Sequence, residues 1–321
     1  MTSQRIHFLA VAVVVLYSFG YLRAEADARS RAARVLFQQF DTVAYSSTDV
    51  LSRFDNPGPN DPNSGSKPSL PITLRLPFVQ LIGGLRILGH NTMTDLLRNY
   101  TGVFVGAKGF TPPDGIGMVS SQKCYISILR PNGRSIIESD FGQAKHESLN
   151  GNDVWTWSAP PYEGYPRPTT FYVAEIENTY LLMTNNLLEF RETIRNLTSG
   201  NSKVGTKVPG WEPLGVDQYW VSRSIRRTEA KRADVTGPTQ GTPSLVVLRF
   251  VIDEAMNSHI EADSSDSIFN TNIEGLPASE VLHYEPKGAG VWQASIPLSK
   301  DPATTTELFR VFFFFGFGVS L

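Results

Sequence analysis

One cysteine, Cys124, stands in 321 residues. The chain therefore closes no internal disulfide and builds no multi-cysteine zinc or iron–sulfur site. Net charge is nearly absent as well. Twenty-nine Lys and Arg against 31 Asp and Glu leave a formal −2, which excludes attraction of the whole protein to nucleic acid. Gly-x-Ser-x-Gly, the strained elbow that exposes a nucleophilic serine, does not occur. A phosphate loop is missing too: Gly200 to Lys207 has two glycines at suitable distance, but its Thr and Lys come in the wrong order and it follows a helical pattern, not a strand. What is present is ordinary globular material, 41% hydrophobic and 19% charged, and long enough for one large domain or two smaller ones with a sizeable core.

The N-terminus carries an address. Residues 1–26 have the three parts of a secretory signal peptide: Arg5 with no acid before Glu25, a nearly continuous apolar run from Ile6 to Leu22, and small residues at Ala24-Glu25-Ala26, with Ala26-Asp27-Ala28 as a second cleavage choice. The competing reading is an uncleaved anchor formed by residues 6–22, with Tyr17 and Tyr21 at an interface. Both readings place the remainder outside the cytoplasm, periplasmic or secreted, with membrane contact only through that segment. A near absence of thiols suits this compartment.

The rest divides by composition. Residues 27–54 read as a short helix from Ser30 to Phe40, with Ala33, Leu36, Phe37 and Phe40 on one face, followed by a strand and a helical turn over Asp41 to Phe54. Residues 55–70 hold four prolines among glycines, serines and asparagines, a linker or loop expected to set the N-terminal helix apart from the body. Residues 71–204 read as an α+β lobe. Its clearest unit is the strand Phe171–Ile176, a turn at Glu177-Asn178, the strand Tyr180–Thr184, and a helix with Leu187, Phe190, Ile194 and Leu197 in step, capped by Asn186. Residues 205–242 form a charged connecting segment, and residues 243–321 an antiparallel β-rich lobe. The last stretch alternates Phe313, Phe315, Phe317, Val319 and Leu321 on one face, as a buried central strand would. The fold class expected is α+β, mostly antiparallel sheet with a few short helices.

Chemistry-bearing residues are few. His146-Glu147-Ser148-Leu149-Asn150 opens like a zinc-protease helix but has Asn where the second ligand belongs. His259, Glu261 and Asp263 alternate along an expected strand, a pattern more typical of a solvated sheet face. No metal and no cofactor is expected. Trp155 and Trp157, two apart on a strand, with Tyr162 and Tyr165 in the proline-rich stretch behind, form an aromatic surface suited to stacking on a sugar ring or a peptide. The alternative is a sheet face covered by its own loop.

A second surface is basic. From Arg191 to Arg232 nine basic residues face four acids, with Arg223, Arg226, Arg227, Lys231 and Arg232 the densest group. From Asp253 to Glu285 there are eight acids and no Lys or Arg. Such a basic patch raises the local concentration of an anionic envelope polymer or protein partner. No nucleic-acid motif accompanies it. The reading that follows is an exported, non-enzymatic binding or envelope-associated structural protein. The competing one is a secreted hydrolase whose catalytic acids, with His146 or His259, meet only in the folded chain.

Overall fold

The computed structural model describes residues 23–40, 42–52, 78, 98–108, 122–130, 133, 144–149, 151–159, 169–199, 219–227, 244–252, 258–264, 285–288 and 291–296. Helical residues 23–39 (α1) lead into β1 (Thr42–Ser47) and a short helix, α2 (Thr48–Ser52). Then come β2 (Tyr100–Lys108), β3 (Gln122–Leu129), β4 (Lys145–Leu149), β5 (Asn152–Ala159), β6 (Thr169–Ile176) and β7 (Tyr180–Thr184). The helix α3 (Leu187–Thr198) follows, and β8 (Tyr219–Arg227), β9 (Ser244–Ile252), β10 (Ser258–Ser264), β11 (Glu285–Gly288) and β12 (Val291–Ile296) complete the set.

All twelve strands join one sheet in the order β11-β12-β10-β9-β8-β1-β2-β3-β7-β6-β5-β4. Each pairing is antiparallel. The fold is α+β with a mostly antiparallel sheet.

Strand alternation sorts the core. Val43 and Tyr45 of β1, Phe104 of β2, Cys124, Ile126 and Ile128 of β3, Leu182 of β7 and Ala174 and Ile176 of β6 share one face and one apolar cluster. Onto them pack Ala28, Ala32, Ala33, Val35, Leu36 and Phe40 at the α1 end and Phe190, Ile194 and Leu197 of α3. Burying a side chain the size of Leu36 or Phe40 contributes roughly 1.5–3 kcal/mol, so α1 is a main part of the core. The opposite face is also buried at its centre, through Ala44, Val103, Val105, Tyr125, Val173 and Met183, and Phe78 lies edge-on to Tyr219 there, centroids 6.3 Å apart.

This packing corrects the expectation that the proline-rich stretch sets the N-terminal helix apart. β1 lies inside the sheet, with Thr42 opposite both Ala107 and Arg223, and all six of its residues are buried. Two side chains add to the attachment: Tyr180 donates its hydroxyl to the Ala28 carbonyl (3.3 Å), and Arg31 pairs with Glu177 at the β6–β7 turn (3.2 Å). That turn takes φ of 53° and 47° at Glu177 and Asn178, the left-handed pair a tight hairpin needs. A second difference concerns the charged segment, which contains β8, paired with β1 and β9 along its length.

α3 forms where expected. Asn186 accepts from the Leu188 and Glu189 amides at 2.9 and 3.2 Å, satisfying two of the donors that a helix start leaves open. Leu187 differs from its expected place on the apolar face, being partly exposed (36%), because it lies in the first turn, beyond the end of the packed stripe.

No described helix is long and apolar enough to cross a membrane. Both cleavage choices read from the sequence, after Ala26 and after Ala28, fall within the described helical residues. The apolar run 6–22, the stretch 55–70 and the phenylalanine-rich terminus lie outside the described residues.

Candidate functional site at the sheet edge

β4 and β5 form the last hairpin of the sheet. Asn150 and Gly151 connect them, and Gly151 has φ +78°, a conformation that glycine adopts without penalty. The register sets His146 opposite Trp155 and Ser148 opposite Asp153, so these four residues share one face. The imidazole stacks on the Trp155 indole with centroids 5.0 Å apart and planes 30° from parallel. Its Nε2 lies 3.0 Å from Asp153 Oδ1. Both polar side chains are more than half exposed, at 55% and 65%, and Trp155 is half-buried.

Trp157 holds the next position on that face of β5, in register with Phe171 of β6. Tyr162 and Tyr165 lie outside the described residues. Of the aromatic surface read from the sequence, the described part is Trp155, half-buried on β5 near the sheet edge. Sequence reasoning missed the contribution of His146 and Asp153. The Asn150-Gly151 dipeptide was the available signal, since a hairpin turned there brings residues 146 and 155 face to face.

On the other face of β4, Lys145 and Glu147 form an ion pair. His146 and Glu147 therefore point to opposite sides, and β4 is a strand where a zinc-protease motif needs a helix. Among the described residues no group of three or more His, Cys, Asp and Glu is gathered to hold a metal.

The basic cluster falls on an interior strand. Arg223 is in register with Thr42 and Leu248, Arg226 with Leu245 and Arg227 with Ser244. Two-residue alternation assigns positions 223 and 227 to one face and 226 to the other. Lys231 and Arg232 lie outside the described residues. His259, Glu261 and Asp263 do alternate along β10, opposite Ser295, Gln293 and Val291 of β12.

Two buried groups are chemically distinctive. Lys123 is 3% exposed, and burial pushes its ammonium down to about 8. Cys124, on the helix side, is fully buried, and burial pushes its thiol up to about 12, the Thr193 hydroxyl opposing the shift and Glu189 adding to it. Around Cys124 a polar seam joins the sheet to both helices. Cys124 Sγ lies 3.8 Å from Thr193 Oγ1, Thr193 donates to Gln39 Oε1 at 2.9 Å, and Lys108 pairs with Glu189. A protonated thiol enclosed this way is a poor nucleophile.

Comparison with protein families, with curated proteins and with solved structures finds no match for this chain.

Proposed function

We propose that this chain is an exported binding module without a catalytic centre of its own, and that its contact surface is the β4–β5 edge. The observation carrying the proposal is the His146–Trp155–Asp153 group on one strand pair: a half-buried indole stacked with an exposed imidazole, and an exposed carboxylate in hydrogen-bond reach. A flat aromatic surface flanked by donors and acceptors suits a sugar ring, whose C–H face stacks while its hydroxyls hydrogen-bond. Export, as read from residues 1–26, would bring such a surface to envelope polysaccharides.

The competing hydrolase reading draws on the same imidazole and carboxylate, with Ser148 on the same face. Nucleophilic relays work where the base contacts the nucleophile and water is controlled. Here the imidazole nitrogen meets Asp153 on an exposed hairpin, which favours binding over turnover.

Titration of the full-length protein with envelope-type oligosaccharides, followed by tryptophan fluorescence and calorimetry, tests the reading. Saturable binding that Trp155→Ala weakens at least tenfold, with the ligand recovered intact, is the expected result. Cleaved ligand, with cleavage lost in His146→Ala, would establish the hydrolase. Binding that Trp155→Ala leaves unchanged would move the contact surface elsewhere.

A further inference from the structure

We infer that β4 is a self-pairing edge, at which a second copy of this chain adds its own β4 antiparallel and continues the sheet across a two-fold axis at His146. β4 pairs with β5 on one side and ends the sheet on the other. Four successive residues, Lys145 to Ser148, are exposed. Edge strands are normally blunted by proline, a bulge or charge. β4 has no proline, and its register with β5 runs unbroken from Lys145 to Leu149, so among the described residues its protection is charge.

That charge is self-complementary. In an antiparallel pair, residues directly opposite one another share a face. A two-fold axis through residue 146 sets Lys145 opposite Glu147 of the second copy and Glu147 opposite its Lys145. The two ion pairs present within the separate strands, one in each copy, are thereby exchanged for two between strands. An axis through 145 would oppose two lysines, one through 147 two glutamates, and one through 148 would set Glu147 against Leu149 and Lys145 against Gly151, so the axis at 146 is the one that pairs the charges. In that register the two His146 rings meet on the other face, each beside its own Asp153 carboxylate, which offsets their mutual repulsion when protonated. The two His146–Trp155 stacks then form one continuous surface. This pairing is independent of the ligand proposed above.

Sedimentation velocity on the full-length protein, at concentrations up to about 100 µM, tests the inference together with cysteine cross-linking. The wild type is expected to dimerise, Lys145→Glu and Glu147→Lys each to weaken the dimer at least tenfold, and the Lys145→Glu/Glu147→Lys exchange to restore it. His146→Cys is expected to form a disulfide dimer under mild oxidation, since opposed residues lie about 4.5–5.5 Å apart at Cα, whereas Ser148→Cys is not. The native thiol, Cys124, is buried and stays out of the reaction. A monomeric wild type, single reversals without effect, or Ser148→Cys cross-linking as readily as His146→Cys would each overturn the inference.

Discussion

Gly106 of β2 offers a test of sign. Replacing a strand glycine by alanine ordinarily stabilises by about 0.5–1 kcal/mol, because the unfolded chain loses freedom it no longer has to give up. Here the opposite is expected. A Cβ at position 106 would stand 2.5 Å from Phe40 Cδ2, 2.7 Å from Phe40 Cγ and 3.1 Å from Leu36 Cδ2. Phe40 Cγ lies near the root of its side chain and cannot swing aside without moving the end of α1, and both residues are buried. Overpacking of this kind costs roughly 1–3 kcal/mol. After the backbone gain is subtracted, Gly106→Ala should destabilise by about 1–2 kcal/mol.

The companion variant makes the reasoning specific. Phe40→Ala removes the ring and should cost about 3–5 kcal/mol. In that background the two closest atoms are gone and Leu36 Cδ2, at 3.1 Å, has vacated space to yield into, so Gly106→Ala should become neutral or mildly stabilising. The two substitutions therefore couple by about 2 kcal/mol, well beyond the few tenths expected of independent sites. Urea unfolding followed by circular dichroism, with all four proteins in one buffer, measures the cycle. Additive costs, or a Gly106→Ala protein as stable as wild type, would refute the packing of α1 on β2. With it would fall the conclusion that the N-terminal helix belongs to the core.

Three other outcomes are expected. Lys123 binds its proton less tightly folded, at about 8, than its ordinary value of 10.5, so between those values the unfolded chain holds more protons and stability rises with pH. Lys123→Met should remove that rise relative to wild type and be more stable at pH 7, by up to roughly 3 kcal/mol; parallel pH–stability curves for the two proteins would contradict this. Cys124 should resist a maleimide in the native protein and react fully in denaturant, and fast native labelling would show the thiol to be accessible. If the N-terminal segment is cleaved on export, mass spectrometry of the mature protein should find Asp27 first and not Arg29, because the shorter product would lose Ala28, which is buried and accepts the Tyr180 hydroxyl.

How far the sequence was legible depends on the range of the interaction. The β6–β7–α3 unit could be read residue by residue, because its turn, its cap and its apolar spacing all lie within a few positions of one another. β1 is legible as a strand, from Val43 and Tyr45, but not as an interior one. All its residues are buried, and its neighbours, β2 and β8, come from distant parts of the chain. The proline-rich stretch after it suggested separation, yet a long excursion between paired strands costs little, since closure entropy grows only with the logarithm of length. β8 was hidden by its arginines, although Tyr219, Val221 and Ile225 keep a strand's two-residue period. α1 was read as too short because Ala24 to Ala28 served equally well as a cleavage signal and as the start of a helix.

The same contrast explains where a function can reside. Across the centre of the sheet, among the described residues, both faces are buried, one of them under α1 and α3. At the β4–β5 end Lys145 to Ser148 and Asp153 are exposed, and polar and aromatic side chains come together on one tight hairpin. Its two faces have different chemistry, with Lys145 and Glu147 on one and His146, Trp155 and Asp153 on the other. A strand of five residues thus offers charge to a neighbouring strand and an aromatic surface to a ligand without conflict between them. This separation predicts that Lys145→Glu should weaken self-association at least tenfold while leaving oligosaccharide affinity per site within about twofold, because oppositely directed side chains on a strand do not share contacts. A parallel loss of both in that variant would mean that the two faces act as one site.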